Sequence, residues 1–323
     1  MNRPFFSILV PVYKNIEYLD DCLQSILNQD FDSYEVVLCY QGETKPTDIV
    51  KDTRVRNIYM EKPSLYLARI ESYKEANGEY VLFVDSDDEL LEGALSSLHQ
   101  TIELNAGVDI VQFSYTSSKE STVCTSLKPQ KEKLNQDEYL SYFLSELGTY
   151  PIWRKCFKHN DVQFYQEDIF MGEDALLSLA FIKRSRAIVS IDNTLYYYRP
   201  NAKSGTSNLK TKYLDDLSIF HIYSLPYRKN KSEIEMAIYS YIRTFLTFHF
   251  AFPEFDFLTL RNVNIFVDKL LSYSFTTKPR FVKKYFLNII NSNEHSLKDK
   301  ICVLGLKSIR GIWESFEVYL NDL

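Results

Sequence analysis

No Cys-x-x-Cys pair occurs in this chain, and its five cysteines (Cys22, Cys39, Cys124, Cys156 and Cys302) are scattered and odd in number. That pattern supports neither a disulfide framework nor a zinc knuckle, and it fits a reducing compartment. An excess of basic charge is also missing. The formal net charge is −6, which argues against nucleic acid as a partner of the whole molecule. No apolar stretch reaches the ~18–20 residues needed to span a bilayer. The run Phe5 to Val10 is too short for a signal peptide and meets Pro11 at once. A cytoplasmic protein, or one held at a membrane surface only, is expected. No internal repeat is apparent, and His159, His221, His249 and His295 lack metal-ligand spacing; His221 enters a metal site only if the fold brings it back. What is present is an ordinary globular composition, 45% hydrophobic and 25% charged. Its 323 residues suffice for one large domain with an appended segment, or for two domains. Aromatic content is high at 15%, mostly a sign of core packing, although saccharide-binding surfaces also use aromatic faces.

Phe5 to Val10 reads as a buried strand ended by a turn-former. Asn15 is placed to cap a helix over about Ile16 to Asn28, with Leu19, Cys22, Leu23, Ile26 and Leu27 on one face. Strands follow at Glu35 to Cys39 and Val55 to Met60. A helix over Leu65 to Ala76 closes at Asn77-Gly78, and a strand from Tyr80 comes next. This order predicts a mostly parallel α/β sheet with ligands at the carboxyl ends of its strands. Pro11-Val12-Tyr13, Tyr40-Gln41-Gly42 and Asp85-Ser86-Asp87 all fall at such ends. Further on, the pattern predicts a helix from Glu89 to about Asn105, a strand from Asp109 to Tyr115, and a Ser/Thr/Lys-rich loop over 116–135. A helix over Asp137 to Leu147, a helix opened by Phe170-Met171-Gly172-Glu173-Asp174, and strands at Ile188 to Ile191 and Thr194 to Arg199 follow.

The run Tyr80-Val81-Leu82-Phe83-Val84-Asp85-Ser86-Asp87-Asp88 carries the most chemistry. Side chains alternate along an extended segment, so Asp85 and Asp87 are expected to point the same way. Two like charges so close call for a cation between them, and magnesium or manganese prefers carboxylate oxygens. An acidic turn capping the next helix, with Asp88 and Glu89 in its first turn, explains the same residues. Both readings stand on these residues alone.

In order, Ser7-Ile8-Leu9-Val10-Pro11-Val12-Tyr13, Leu19 to Gln29, Ala68-Arg69, Ala76-Asn77-Gly78-Glu79-Tyr80, Phe83 to Asp88 and Gly172-Glu173-Asp174 resemble the family-two glycosyltransferases. Tyr196-Tyr197-Tyr198-Arg199 and Lys203-Ser204-Gly205-Thr206-Ser207 are similar to the strand and loop that close such sites, so the resemblance spans roughly 5–210. It implies a GT-A fold, a Rossmann-like and mostly parallel sheet flanked by helices, and inverting transfer from a nucleotide-diphosphate sugar. It also implies that Pro11, Val12, Tyr13, Gln41 and Arg69 meet the nucleotide. By the same likeness Asp85, Ser86 and Asp87 meet the diphosphate, and Asp85 and Asp87 hold Mn2+ or Mg2+. Asp174 matches the general base, with the neighbouring Glu173 side chain diverging from it. Lys203 to Ser207 is a candidate lid, with Gly205 as its hinge.

Relatives carry an acidic pair where this chain has Tyr40-Gln41, so the acceptor for a base imide N–H is absent; Gln41 offers its carbonyl oxygen and Tyr40 a ring for stacking. Ile70 and Ser72 also depart from the usual Asn and Gly. The implied donor is a UDP-sugar, and the implied acceptor a saccharide, glycolipid or glycoprotein. A non-catalytic GT-A partner subunit with a degenerate nucleotide site is the alternative, and a phosphatase of the haloacid dehalogenase type is a remote one.

The expected division is a catalytic domain over 1–212, with nucleotide-sugar binding in about 1–115 and the acceptor and base part in about 116–212. A helical segment over 213–323 completes it. From Arg261 onward ten basic residues stand against six acidic ones, beside Phe281, Tyr285, Phe286, Ile289 and Ile290. Such a face suits peripheral contact with an anionic bilayer, or packing on the catalytic domain or a second subunit.

Overall fold

The computed structural model describes residues 3–14, 16–44, 52–119, 129, 131–145, 150–200, 210–228, 260–263 and 265–266. The expected lid at Lys203 to Ser207, the cap at Asn15 and the basic-aromatic face beyond residue 266 lie outside them. Backbone proximity groups the chain into two compact units. One holds Met1–Ser207 with Pro226–Lys229, the other Asn208–Leu225 with Asn230–Leu323.

In the first unit β1 (Phe6–Val12) is buried at every position, because both faces of the sheet are covered and an unbroken apolar run satisfies both. It pairs in parallel with β2 (Tyr34–Gln41) on one side and β4 (Tyr80–Phe83) on the other, and β2 pairs in parallel with β3 (Val55–Met60). Beyond β4 the sheet is mixed. β8 (Lys155–Lys158) runs antiparallel between β4 and β6 (Ile110–Thr116), and β6 pairs in parallel with β9 (Ala187–Tyr197). The short β5 (Glu89–Leu90) and β7 (Lys133–Asn135) add antiparallel pairs to β9. The path is β3-β2-β1-β4-β8-β6-β9-β5.

Helix α1 (Leu19–Leu27) buries Leu19, Cys22, Leu23 and Ile26, the expected face. It starts at Leu19, three residues later than the sequence suggested, with Tyr18 at the N-cap and no side-chain cap. α2 (Leu65–Glu75) is capped by Ser64, whose hydroxyl accepts from Leu67 N–H. α3 (Ala94–Leu104) begins after β5 rather than at Glu89, because the strand pair with β9 claims Glu89 and Leu90. α4 (Gln136–Ser145) follows β7, so the expected loop over 116–135 ends in a strand. α5 (Glu173–Ile182) opens after Gly172, whose φ of +83° turns the chain into the helix. Two further differences concern strands. β8 is only four residues long, too short to carry a strand period in the sequence. The two strands expected at 188–191 and 194–199 are one, and register irregularities against β6 near Gln112 to Tyr115 account for the broken pattern.

Gly78 joins α2 to β4 where the backbone passes hard against β1. A Cβ there would lie 2.5 Å from the Ser7 backbone nitrogen and 2.7 Å from the Phe6 carbonyl carbon. The Gly78 N–H donates to Ser7 Oγ at 2.7 Å, which pins the start of β4 to β1.

In the second unit α6 (Lys212–Ser224) carries Asp215, whose carboxylate accepts from Asn262 N–H (2.6 Å) and Val263 N–H (3.2 Å). His221 lies against Phe266, with ring centroids 5.3 Å apart. No described helix is long and apolar enough to cross a membrane.

Candidate active site

β4 ends at Phe83, opposite Leu9, while β1 continues to Val12. This places the acidic segment beside the carboxyl end of β1, at the side where the strand order reverses. The residues after Phe83 are not extended. Asp88 N–H donates to Asp85 O at 3.0 Å and closes a turn. Period-two alternation therefore does not set the directions of Asp85 and Asp87; the turn does. Asp85 and Asp87 stay partly exposed, whereas Ser86 and Asp88 are buried.

Arg69, on the buried face of α2, is the hub of the site. Its guanidinium is 1% exposed. Nη2 donates to Asp85 Oδ1 at 2.8 Å and Nη1 to Asp174 Oδ1 at 2.5 Å, with Glu173 Oε1 3.6 Å from Nη1. The expected divergence of Glu173 from Asp174 does not occur, because one buried cation draws both. Burial opposes the charge on Arg69, but Asp174, Asp85 and Glu173 outweigh it and hold the group fully protonated. Burial, and then the Asp174 charge, pushes Glu173 up to about 8. Burial also lifts Asp174 above the usual carboxylate range, against the pull of Arg69, and the Ile152 backbone N–H bonds to it. Arg69 Nε is buried without a partner.

A second frame holds the acidic turn. Tyr196, buried on β9, donates to Asp88 Oδ2 at 2.7 Å and accepts from Asp85 N–H at 3.1 Å. Arg199 donates through its backbone N–H to Asp88 Oδ1 (2.8 Å), through Nε to Asp87 O (2.9 Å), and through Nη2 to Glu89 (2.6 Å) and Asp21 (3.1 Å). Its guanidinium lies 4.3 Å from the Tyr18 ring centroid. Burial, and then Asp85, pushes Asp88 up to about 8. The sequence offered Asp88 only as part of an acidic turn capping the next helix. Its real partners lie more than a hundred positions away, which no local pattern could indicate.

At the ends of β1 and β2 the polar groups are arranged differently from expectation. Tyr13 is 40% exposed, and a Cβ on Gly42 would lie 3.9 Å from its ring. Pro11 and Val12 lie within β1. Gln41 is 1% exposed, and its side-chain oxygen accepts from Ser64 N–H at 2.9 Å. The oxygen proposed to receive an imide N–H thus already accepts one hydrogen bond within the protein, which leaves it a single free lone pair. Tyr40 is buried and stacks on Tyr59, centroids 5.7 Å apart, so its ring is committed within the protein. Ser64 Oγ also bonds Asp168 from the loop before α5, a link the sequence did not suggest. The fold therefore gathers Asp85 and Asp174 around Arg69, with Ser86 and Asp87 in the turn that follows Asp85 and Tyr13 and Gln41 at neighbouring strand ends.

Among the described residues no group of three or more His, Cys, Asp and Glu side chains is arranged to hold a metal. Asp85, Asp87 and the Ser86 hydroxyl nevertheless fit a hard cation, since magnesium and manganese take one or two carboxylates and complete their shell with phosphate oxygens and water. Negative charge from the turn supports that fit. After burial, Asp88, Asp87 and Asp85 are what raise the Tyr198 phenol.

Residues 7–159 match the model of glycosyl transferase family 2. Uncharacterized glycosyltransferase EpsJ of Bacillus subtilis (strain 168) is 26% identical over 247 residues, 69% of this chain and 71% of EpsJ. Among solved structures, S. aureus TarS 1–349 in complex with UDP-GlcNAc superposes with a TM-score of 0.55 at 18% identity, covering 88% of this chain and 91% of that one. Mannosyltransferase PcManGT from Pyrobaculum calidifontis, in complex with GDP-Man and Mn2+, gives 0.52 at 13% identity over 90% and 82% of the two chains. These likenesses show the GT-A fold. The family match ends before Gly172-Glu173-Asp174.

Proposed function

We propose that this chain is a glycosyltransferase of family 2, as the match over residues 7–159 and the likeness to EpsJ support, and that it moves a sugar with inversion from a UDP-linked donor to a saccharide, glycolipid or glycoprotein acceptor. Arg69 carries this reading, because one buried guanidinium bonds both Asp85 and Asp174. The carboxylate that would face the leaving diphosphate and the carboxylate that would face the acceptor are thereby held on either side of a single group.

Asp174 acts as general base. It takes the proton from the acceptor hydroxyl while that oxygen attacks the anomeric carbon, the bond from that carbon to the diphosphate breaks, and the nucleoside diphosphate leaves with the electron pair. A carboxylate raised by burial suits this role, since it is a stronger base than an exposed one. Arg69 and the Ile152 N–H fix its orientation. Asp85 and Asp87, with Ser86 beside them, would hold Mn2+ or Mg2+, which when bound supplies positive charge to the diphosphate. Tyr13 and Gln41 border the nucleoside.

The test combines binding and turnover. A thermal-shift screen of nucleotide sugars with and without manganese identifies the donor, and transfer or donor hydrolysis is then measured. Asp174→Asn is expected to lose about 10²–10⁴-fold in turnover while UDP affinity holds within about twofold. Full turnover in that variant would remove Asp174 as the base. A second reading, a GT-A subunit without activity, is favoured by one observation, the engaged oxygen of Gln41. The absence of any metal-dependent shift across the donor screen would select it.

A further inference from the structure

Trp153 lies parallel to two tyrosines of β9, with ring centroids 4.7 Å from Tyr196 and 5.5 Å from Tyr198 and interplanar angles of 14° in each case. Tyr115 closes the group edge-on, 4.8 Å from Trp153 and 6.4 Å from Tyr198. Stacked aromatics usually disappear into a core, and Trp153 and Tyr196 do so at 6% and 0% exposure. Tyr198 does not. It remains 37% exposed, a flat ring backed by the buried members of the stack.

The surroundings of this ring are specific. Tyr196 bonds Asp88 and Asp85 N–H, and Arg199 bonds Asp87 O and Asp88, so Tyr198 is held between the two residues that clamp the acidic turn. Its backbone N–H is tied to Thr116 O at 2.9 Å, which fixes the ring's base. Trp153, on the other side, follows Ile152, whose N–H bonds Asp174. The exposed ring thus stands beside both the acidic turn and the residue that anchors the base. A flat apolar face beside acidic groups, whose charge acts on the Tyr198 phenol, is complementary to a pyranose, which offers axial C–H groups on one face and hydroxyl donors around its rim. An acyclic polyol phosphate has no such face and carries a charge that the acidic turn repels.

We propose that Tyr198, supported by Trp153 and Tyr115, is the acceptor platform of this enzyme, stacking on the pyranose ring whose hydroxyl is to be glycosylated. This rests on the transferase reading above and narrows its acceptor to a saccharide with a pyranose at the accepting end. Tyr198 holds the acceptor and takes no part in proton transfer, so Asp174 keeps its role whatever side chain stands at 198.

The full chain is tested by saturation-transfer NMR against methyl pyranosides of glucose, galactose, mannose and N-acetylglucosamine, with ribitol phosphate as the acyclic comparison. UDP with manganese is titrated calorimetrically on the same samples. At least one pyranoside is expected to receive saturation at its ring C–H protons, to be retained by Tyr198→Phe, and to bind about tenfold more weakly in Tyr198→Leu. Leucine keeps apolar bulk and removes the plane, so a loss there separates stacking from packing; UDP affinity should stay unchanged in both variants. Ribitol phosphate binding as well as the pyranosides, no pyranoside binding, or equal binding in Tyr198→Leu would each overturn the platform. Pyranoside binding with no UDP binding would support the platform while sinking the transferase reading, so the two failures are distinct.

Discussion

Arg69 is a permanently charged residue placed where three carboxylates would otherwise repel one another, and it is 1% exposed. In the sequence it read as a contact for base or phosphate. Its planar fork instead serves two acids at once, a geometry lysine could not reproduce. Gln41 gives the residue scale its sharpest test. Its oxygen already accepts from Ser64 N–H, so a single lone pair is left for any imide N–H of a bound base. Gln41→Glu keeps the length and restores an acceptor for both N–H groups. UDP binding, measured calorimetrically, is expected to tighten about tenfold, as a charge-assisted bond of ~1.5 kcal/mol implies. Unchanged affinity would remove Gln41 from the base pocket. The residue types at these positions were legible in sequence, but the hydrogen bonds that decide which end of an amide faces outward were not.

Elements long enough to carry a clear pattern lie where the sequence places them. β3 has its expected bounds, and α1 its expected buried face. Short elements were missed because two to four residues carry no period. β5, β7 and β8 exist through pairing with distant strands, and β5 overrode a helix start at Glu89. Gly78 shows how tightly elements are seated. Gly78→Ala would drive a methyl group into the Phe6–Ser7 backbone, which cannot swing aside. Urea unfolding is expected to show a loss of about 1–3 kcal/mol. A loss below about 0.5 kcal/mol would mean that β1 and β4 separate more easily than their shared hydrogen bonds imply.

For the molecule as a whole, buried acid governs the response to pH. Asp88 and Glu173 ionise near pH 4 in an unfolded chain and at about 8 when folded, burial being the first cause for each. Between those values the folded state holds the extra protons. Stability therefore falls as pH rises through that window and stops falling above about 8. Thermal unfolding from pH 5 to 8.5 should show a declining midpoint, and Asp88→Asn, which keeps the hydrogen bond from Arg199 N–H, should flatten the slope. A wild-type midpoint that rises with pH would contradict the burial of these groups. The phosphatase alternative ends at this scale too, since the GT-A fold likeness replaces it.

The ordered motifs from Ser7 to Asp88, and Glu173-Asp174 beyond them, were enough by themselves to indicate the fold class and the resemblance to the family-two glycosyltransferases, because strand ends and their turn residues are written locally in the chain. Tertiary structure alone decided that the acidic run is a turn, that Asp85 and Asp174 share Arg69, and that Asp88 hangs from Tyr196 and Arg199. Apart from the local turn bond and the Arg69–Asp85 pair, those outcomes depend on charges and hydrogen bonds between residues about a hundred positions apart. Their energies exist only once burial has removed water from between the partners.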